Sequence, residues 1–555
     1  MVFVALTALA FSPSLEGGGA PTGPTVKLTN GTVAGTASNG IATFLGIPYA
    51  APPIGSLRFR KPAPHASWSG VRDATARGNT CVMGSGKQGS EDCLVLNVFT
   101  PLSSFEERGA AKRPVLFYIH GGGFVEGSAT TSGENLSQLS GQVVVAIQYR
   151  LGALGFLSTE APPPNLGLED QLFALRWVNE NAAAFGGDAD SVMIFGCSAG
   201  GASVAGLLIS PAATSLYHAA GIESPGGHQG WMGDKKRSDD DWMDAALNLN
   251  NSEALAKQLG CAGGRSDVGC LQALDVSTLY AASSALRLAP SLVVDGAQSY
   301  PLREIRQGRW SGVPVIVGGQ SCESCGGAFA AFGPPTAPVS RAHFRAALVS
   351  QGFSGVDGSG VGPDTLEEWY AHRIAREGRW RTFARILSDS GHACSSALHA
   401  EALATSATSA AAAAAAAATT SSAAAAPATG VAAGRAAARG SVWRYFFAFT
   451  TAALPGATHG ADESWILDEH EGAPAAQVAL SRDMALWWAS LNARGDPNAD
   501  AHDSAPWWNP YAPKGGDADD AVMFMGEGDD PTPFMNATVD TVRAECEHWK
   551  AFLGW

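Results

Sequence analysis

Short apolar runs without polar alternation recur along the chain. They lie at residues 115–119 (VLFYI), 143–147 (VVVAI), 192–195 (VMIF), 313–317 (VPVIV) and 443–449 (WRYFFAF). Such runs suit strands covered on both faces, as in a parallel sheet. Helix-like stretches separate them, for example residues 168–182 (LEDQLFALRWVNENA). The alternation predicts an α/β fold with a mostly parallel central sheet flanked by helices. No linker divides the pattern, so residues 21–555 read as one domain. One segment stands apart: residues 405–440 are nearly all Ala, Ser, Thr and Gly, with nine consecutive alanines at 410–418. It offers few large side chains to bury and is expected to be a surface insertion, helical or disordered, without catalytic residues.

Composition narrows the class. The chain has 555 residues, 46% of them apolar and 16% charged, enough for a large globular core. Its formal net charge of −15 argues against nucleic acid and against an anionic membrane surface as partners. No run of 18 strongly apolar residues suggests a membrane span. Residues 2–11 are mostly apolar and Ala8-Leu9-Ala10 has the form of a cleavage site, so residues 1–20 read as a signal peptide or a disordered terminus. Sequons at Asn30, Asn135, Asn250 and Asn536 fit a secreted glycoprotein. Of nine cysteines, Cys81 with Cys93 and Cys261 with Cys270 bracket short polar loops that suit local disulfides in an oxidising compartment, although spacing alone leaves free thiols open.

The chemistry concentrates at two glycine-rich turns. Gly196-Cys197-Ser198-Ala199-Gly200 matches G-x-S-x-G, follows an expected strand and precedes a helix-like stretch. That is the context of a nucleophile elbow, with Ser198 as nucleophile at a helix N-terminus. His120-Gly121-Gly122-Gly123 follows an earlier strand and has the form of an oxyanion-binding turn. Its expected donors are the N–H groups of Gly122 and Gly123, joined by that of Ala199.

With Ser90-Glu91-Asp92-Cys93-Leu94, these turns resemble the signatures of the type-B carboxylesterase/lipase family, which includes the cholinesterases. The resemblance runs through Phe44-Leu45-Gly46-Ile47-Pro48-Tyr49-Ala50, Gln148-Tyr149-Arg150-Leu151-Gly152 and Asn165-Leu166-Gly167-Leu168-Glu169-Asp170-Gln171, and covers nearly the whole chain. It implies an α/β-hydrolase fold and a Ser–Glu–His triad, with no metal or organic cofactor. His459, in His459-Gly460-Ala461-Asp462, is similar to the family's His-Gly-x-Asp/Glu motif and is the implied base. Glu323 is the implied acid, although Cys322 and Ser324 depart from the usual neighbours. Ser224 is implied beside the triad, Arg58–Glu91 and Arg150–Asp170 as ion pairs, and Cys394–Cys546 as a third disulfide.

The departures shape the expected specificity. Cys197 stands where many relatives carry glutamate. Cys322 and Cys325 read as a local disulfide or packed thiols rather than a zinc or redox site. The loop 82–92 contains no aromatic residue, so the cation–π site of cholinesterases is absent from its expected place. By resemblance, Trp231, Leu286 and Leu288 would line an acyl pocket open to groups longer than acetyl. The expectation is a secreted serine carboxylesterase acting on neutral, fairly apolar small-molecule esters, of unassigned oligomeric state. A lipase and a non-catalytic binding or adhesion protein on the same fold are the alternatives.

Overall fold

The computed structural model describes residues 23–549, apart from 85, 87, 107–111, 131–132, 159–164, 227–244, 287, 289–291, 294–300, 356–360, 419–437, 450–455, 471, 501–504, 513–521, 529 and 537–545. The signal-peptide expectation and Trp231 fall outside the described residues.

Fourteen strands are described. β1 (Thr25–Lys27), β2 (Thr32–Ala34) and β5 (Val71–Asp73) form a small sheet. The large sheet begins with β3 (Thr36–Ser38), β4 (Ile41–Pro48), β6 (Val95–Pro101), β7 (Arg113–Ile119) and β8 (Val143–Ile147). It continues with β9 (Gly187–Cys197), β10 (Ala219–Glu223), β11 (Val315–Gln320) and β12 (Val442–Phe449), then β13 (Val522–Gly528) and β14 (Phe534–Asn536). Its spatial order is β14-β13-β12-β11-β10-β9-β7-β8-β6-β4-β3. The strands from β8 to β13 in that order pair in parallel, and both flanks are antiparallel.

The apolar runs become these parallel strands because both faces are buried. In β7, Val115, Phe117 and Ile119 enter one core, with the helices Leu166–Asn181 and Ala199–Leu208. Leu116 and Tyr118 enter the other, against the helix Ala475–Arg494 and its buried Trp487 and Trp488. Side-chain alternation along a strand makes this two-sided core from one apolar run.

Two expected boundaries change. The run at 313–317 becomes β11 at Val315–Gln320, which carries Gly318-Gly319-Gln320 into the sheet. The Ala-rich segment is not wholly a surface insertion. Its start is the continuation of the helix Cys394–Ala418, whose Leu398 and Leu403 are buried in the core. Ser406 is also buried and accepts a 3.0 Å hydrogen bond from Trp310 Nε1.

The cross-links follow expectation. Disulfides join Cys81–Cys93, Cys261–Cys270 and Cys394–Cys546, and a fourth joins Cys322–Cys325. Arg150 makes two 2.7 Å bonds to the buried Asp170, and Arg58 pairs with Glu91 at 2.5 Å.

Candidate active site

The implicated turns all follow carboxyl ends of parallel strands, where ligands bind in open α/β sheets. His120 follows β7, Ser198 follows β9, Ser224 follows β10, and Glu323 and His459 lie in the chain segments after β11 and β12.

Ser198 has φ 59° and ψ −122°, an uncommon backbone state for a residue with a Cβ. The structure around it enforces the turn. Ser198 N donates to Glu223 O at 2.9 Å, and the helix Ala199–Leu208 starts directly after it. A Cβ on Gly200 would stand 2.1 Å from Ile119 O, so only glycine fits there. The oxyanion-type turn packs against this elbow, since a Cβ on Gly121 would lie 3.1 Å from Ser198 Cβ. Gly122, Gly123 and Phe124 all have positive φ, and Gly122 O accepts from the N–H groups of Val125 and Glu126. His120 anchors the turn: its ring stacks on Tyr149, whose hydroxyl donates to His120 O at 2.8 Å. Burial lowers the His120 pKa to about 4, so it stays neutral near pH 7.

Glu323 and His459 meet directly: His459 Nδ1 lies 2.7 Å from Glu323 Oε2. The other oxygen, Oε1, accepts from Gln320 N and from Ser224 Oγ, both at 2.7 Å. Ser224 Oγ also lies 2.5 Å from Gln320 Oε1, but one hydroxyl proton cannot serve both. Turning the Gln320 amide resolves the conflict: Nε2, otherwise buried without a partner, then donates to Ser224, and Ser224 donates to Glu323. Burial would lower the His459 pKa; the Glu323 hydrogen bond and charge, with Asp462 and Glu463, outweigh it and raise the value above 6.5. His459 Nε2 is buried with no hydrogen-bond partner among the described residues. The His459 turn also touches the elbow, because a Cβ on Gly460 would lie 3.9 Å from Cys197 Sγ.

Apart from Asp462, which ends the His-Gly-x-Asp motif, several neighbours carried no sequence signal. His392, in the π-helical turn Asp389–Ala393, lies with its ring 4.0 Å from that of His459, and burial and the His459 charge lower its pKa. A π-turn just before Cys394 was not legible in the residue pattern. Glu223, Asp462 and Glu463 are carboxylates beside the elbow, held by Trp488, Tyr445 and Tyr118 respectively. Glu323, His392 and His459 bring one ligand atom each within 4.8 Å of one another, as do Cys197, Glu223 and Asp462. In the first group Glu323 and His459 are already bonded to each other.

The acyl-pocket candidates are less directly placed. Leu286 and Leu288 pack in a separate apolar cluster with Leu154, Leu157 and Tyr280. Leu288 lines a cavity with Gly152, Phe156 and Leu255, and the Phe156 ring meets Phe124 of the glycine-rich turn at 4.9 Å. One aromatic layer therefore separates Leu288 from that turn.

A carboxylesterase family model matches residues 22–536. The chain is 39% identical to human cocaine esterase over 308 residues, 51% of this chain and 52% of that protein. It is 37% identical to para-nitrobenzyl esterase of Bacillus subtilis over 315 residues, 52% of this chain and 60% of that one. It is likewise 37% identical to acetylcholinesterase of Gallus gallus over 314 residues, 50% and 39% of the two chains. The matches to the first two thus span between half and two thirds of their length. Among solved structures, a PNB esterase superimposes with a TM-score of 0.71 at 26% identity, covering 95% of this chain and 100% of that one. An α/β-hydrolase sheet, a glycine-flanked serine turn and a family match over nearly all its residues make this chain a member of the carboxylesterase (type-B carboxylesterase/lipase) family.

Proposed function

We propose that this chain is a serine carboxylic-ester hydrolase acting on neutral, fairly apolar esters through an acyl-enzyme. The observation that carries the reading is the Glu323–His459 bond, which leaves Nε2 of His459 unpartnered in a turn packed against the Ser198 elbow. His459 takes the Ser198 proton through Nε2 as Oγ attacks the ester carbonyl. Glu323 fixes the tautomer and stabilises the imidazolium, and Ser224 and Gln320 N hold Glu323 in place. The N–H groups of Gly122, Gly123 and Ala199 stabilise the oxyanion, about 3–4 kcal/mol for each donor in comparable sites. His459 then protonates the leaving alcohol, and water attacks the acyl-enzyme by the same route.

The apolar preference rests on the apolar cluster of Leu286 and Leu288, which lies behind Phe156 and the glycine-rich turn. It also rests on the loop 82–92, which has no aromatic residue to hold a quaternary ammonium. Four disulfides favour secretion or a secretory lumen. The test is hydrolysis of p-nitrophenyl esters over a series of acyl lengths, wild type against Ser198→Ala. Activity peaking beyond acetyl and falling about 10⁴–10⁶-fold in the variant is expected. Full activity in the variant would remove Ser198 as nucleophile, and no activity in folded wild type would remove the esterase reading.

A further inference from the structure

Beside the serine turn lies a second set of reactive side chains that ester hydrolysis does not use. β9 and β10 run in parallel register with Cys197 opposite Glu223. The turn after His459 brings Asp462 to the same place. Sγ of Cys197 and one carboxylate oxygen from each acid lie within 4.8 Å of one another, and all three side chains are buried.

The two carboxylates are oriented from outside. Trp488 Nε1 donates to Glu223 Oε1 at 3.0 Å, and the Tyr445 hydroxyl donates to Asp462 Oδ2. Their other oxygens, Glu223 Oε2 and Asp462 Oδ1, are buried and have no hydrogen-bond partner among the described residues. Cys197 is the free one of nine cysteines. Donors that fix one oxygen and leave the other open are the outer layer that orients metal ligands. Charge acts in the same direction. Burial, reinforced by the neighbouring carboxylates, raises the proton affinity of Glu223 and Cys197, and pushes Asp462 up to about 7. Glu463, Glu323 and His459 are the other charged groups facing this cluster. Buried acids this close are neutralised by protons or by a cation that replaces them.

We propose that Cys197, Glu223 and Asp462 form a binding site for a thiophilic divalent cation such as Zn²⁺ or Cd²⁺, and that filling it switches off the adjacent Ser198. One thiolate with two carboxylates selects against Mg²⁺ and Ca²⁺, which take oxygen ligands. A tetrahedral ion with S at about 2.3 Å and O at about 2.1 Å spaces its ligands about 3.5 Å apart, so the side chains need only close slightly. Water completes the fourth position. Binding breaks the Cys197 S–H bond and displaces any proton on the two carboxyls; those protons leave to solvent and nothing is oxidised or reduced. Affinity therefore rises with pH. Inhibition follows from position: Cys197 precedes Ser198, and Asp462 lies on the same short turn as His459, so drawing them together moves nucleophile and base.

The test uses the unreduced full chain. The other eight cysteines are in disulfides, so a thiolate-to-metal charge-transfer band reports Cys197 directly. Titration with Cd²⁺, and with Co²⁺ as the coloured probe, should give this band, saturating at one ion per chain with proton release. It should be absent in Cys197→Ser and need at least tenfold more ion in Glu223→Gln, with circular dichroism confirming that both variants fold. Ester hydrolysis should fall in step with the band, whereas Mg²⁺ should do neither. The band is read without any substrate, so it decides the site even if the esterase reading fails. A wild-type chain with no thiolate band at millimolar ion overturns the proposal. So does undiminished ion binding in Cys197→Ser, which would place the ion at Glu323, His392 and His459 instead.

Discussion

Glu323 is the most heavily held side chain in the site, with Ser224 and Gln320 N on one oxygen and His459 on the other. Its removal should therefore cost more than a charge. Glu323→Gln keeps the shape but presents the wrong group to Nδ1, and kcat should fall about 10⁴-fold, as for the equivalent change in a comparable triad. The pH profile gives the sign. The proposed base, His459, would act only when neutral, and the fold raises its pKa above 6.5, so kcat/KM should fall as pH drops through that raised value. Glu323→Gln removes the first of the groups that raise it, so the midpoint should move down. Unchanged midpoints in both proteins would sink the assignment. Ser224→Ala removes one of three bonds to Glu323 and should cost far less, about 1–3 kcal/mol in kcat/KM; a loss as large as that of Ser198→Ala would make Ser224 more than a support.

At the scale of elements, the long-range disulfide matters most to stability. Cys394–Cys546 links residues 152 apart, whereas Cys81–Cys93 spans 12. Chain entropy assigns these closures about 5 and about 3 kcal/mol. Cys394→Ser should thus lower the thermal midpoint more than Cys81→Ser, and scanning calorimetry of the two variants would reveal the opposite order if it held. Elements also separate what the residue pattern carried from what it did not. Parallel strands such as β8 (VVVAI) were legible because burial on both faces writes an unbroken apolar run. The end of β11 was not, because Gly318-Gly319-Gln320 carries no such run and is strand through its pairing with β12 and, at Gly318, with β10. The glycine-flanked Ser198 turn and its companion at His120 were legible because the geometry demands those residue types. The meeting of His392, Glu223 and Asp462 was not, because tertiary packing alone brings a π-turn, a strand end and the His459 loop together.

For the molecule as a whole, charge and pocket chemistry pull in different directions. A net charge of −15 attracts cations to the surface, yet the loop 82–92 lacks an aromatic face to seat one. Discrimination between a choline ester and a neutral ester of equal acyl length should therefore be weak. A kcat/KM ratio strongly favouring choline in a matched pair would show that another surface supplies the cation site. Raising salt should reduce whatever choline preference exists, because only screened long-range attraction supports it.

The strand order has a consequence in time. β9, β10, β11 and β12 are neighbours in the sheet and arrive in the same order along the chain. Ser198 and His459 are 459 − 198 = 261 residues apart. A ribosome adding about 5–20 residues per second delivers the histidine about 13–50 s after the serine. On the proposed assignment, throughout that interval the nascent chain carries the nucleophile without its base, so the cell would make an inert polypeptide that becomes reactive only when the late strands dock.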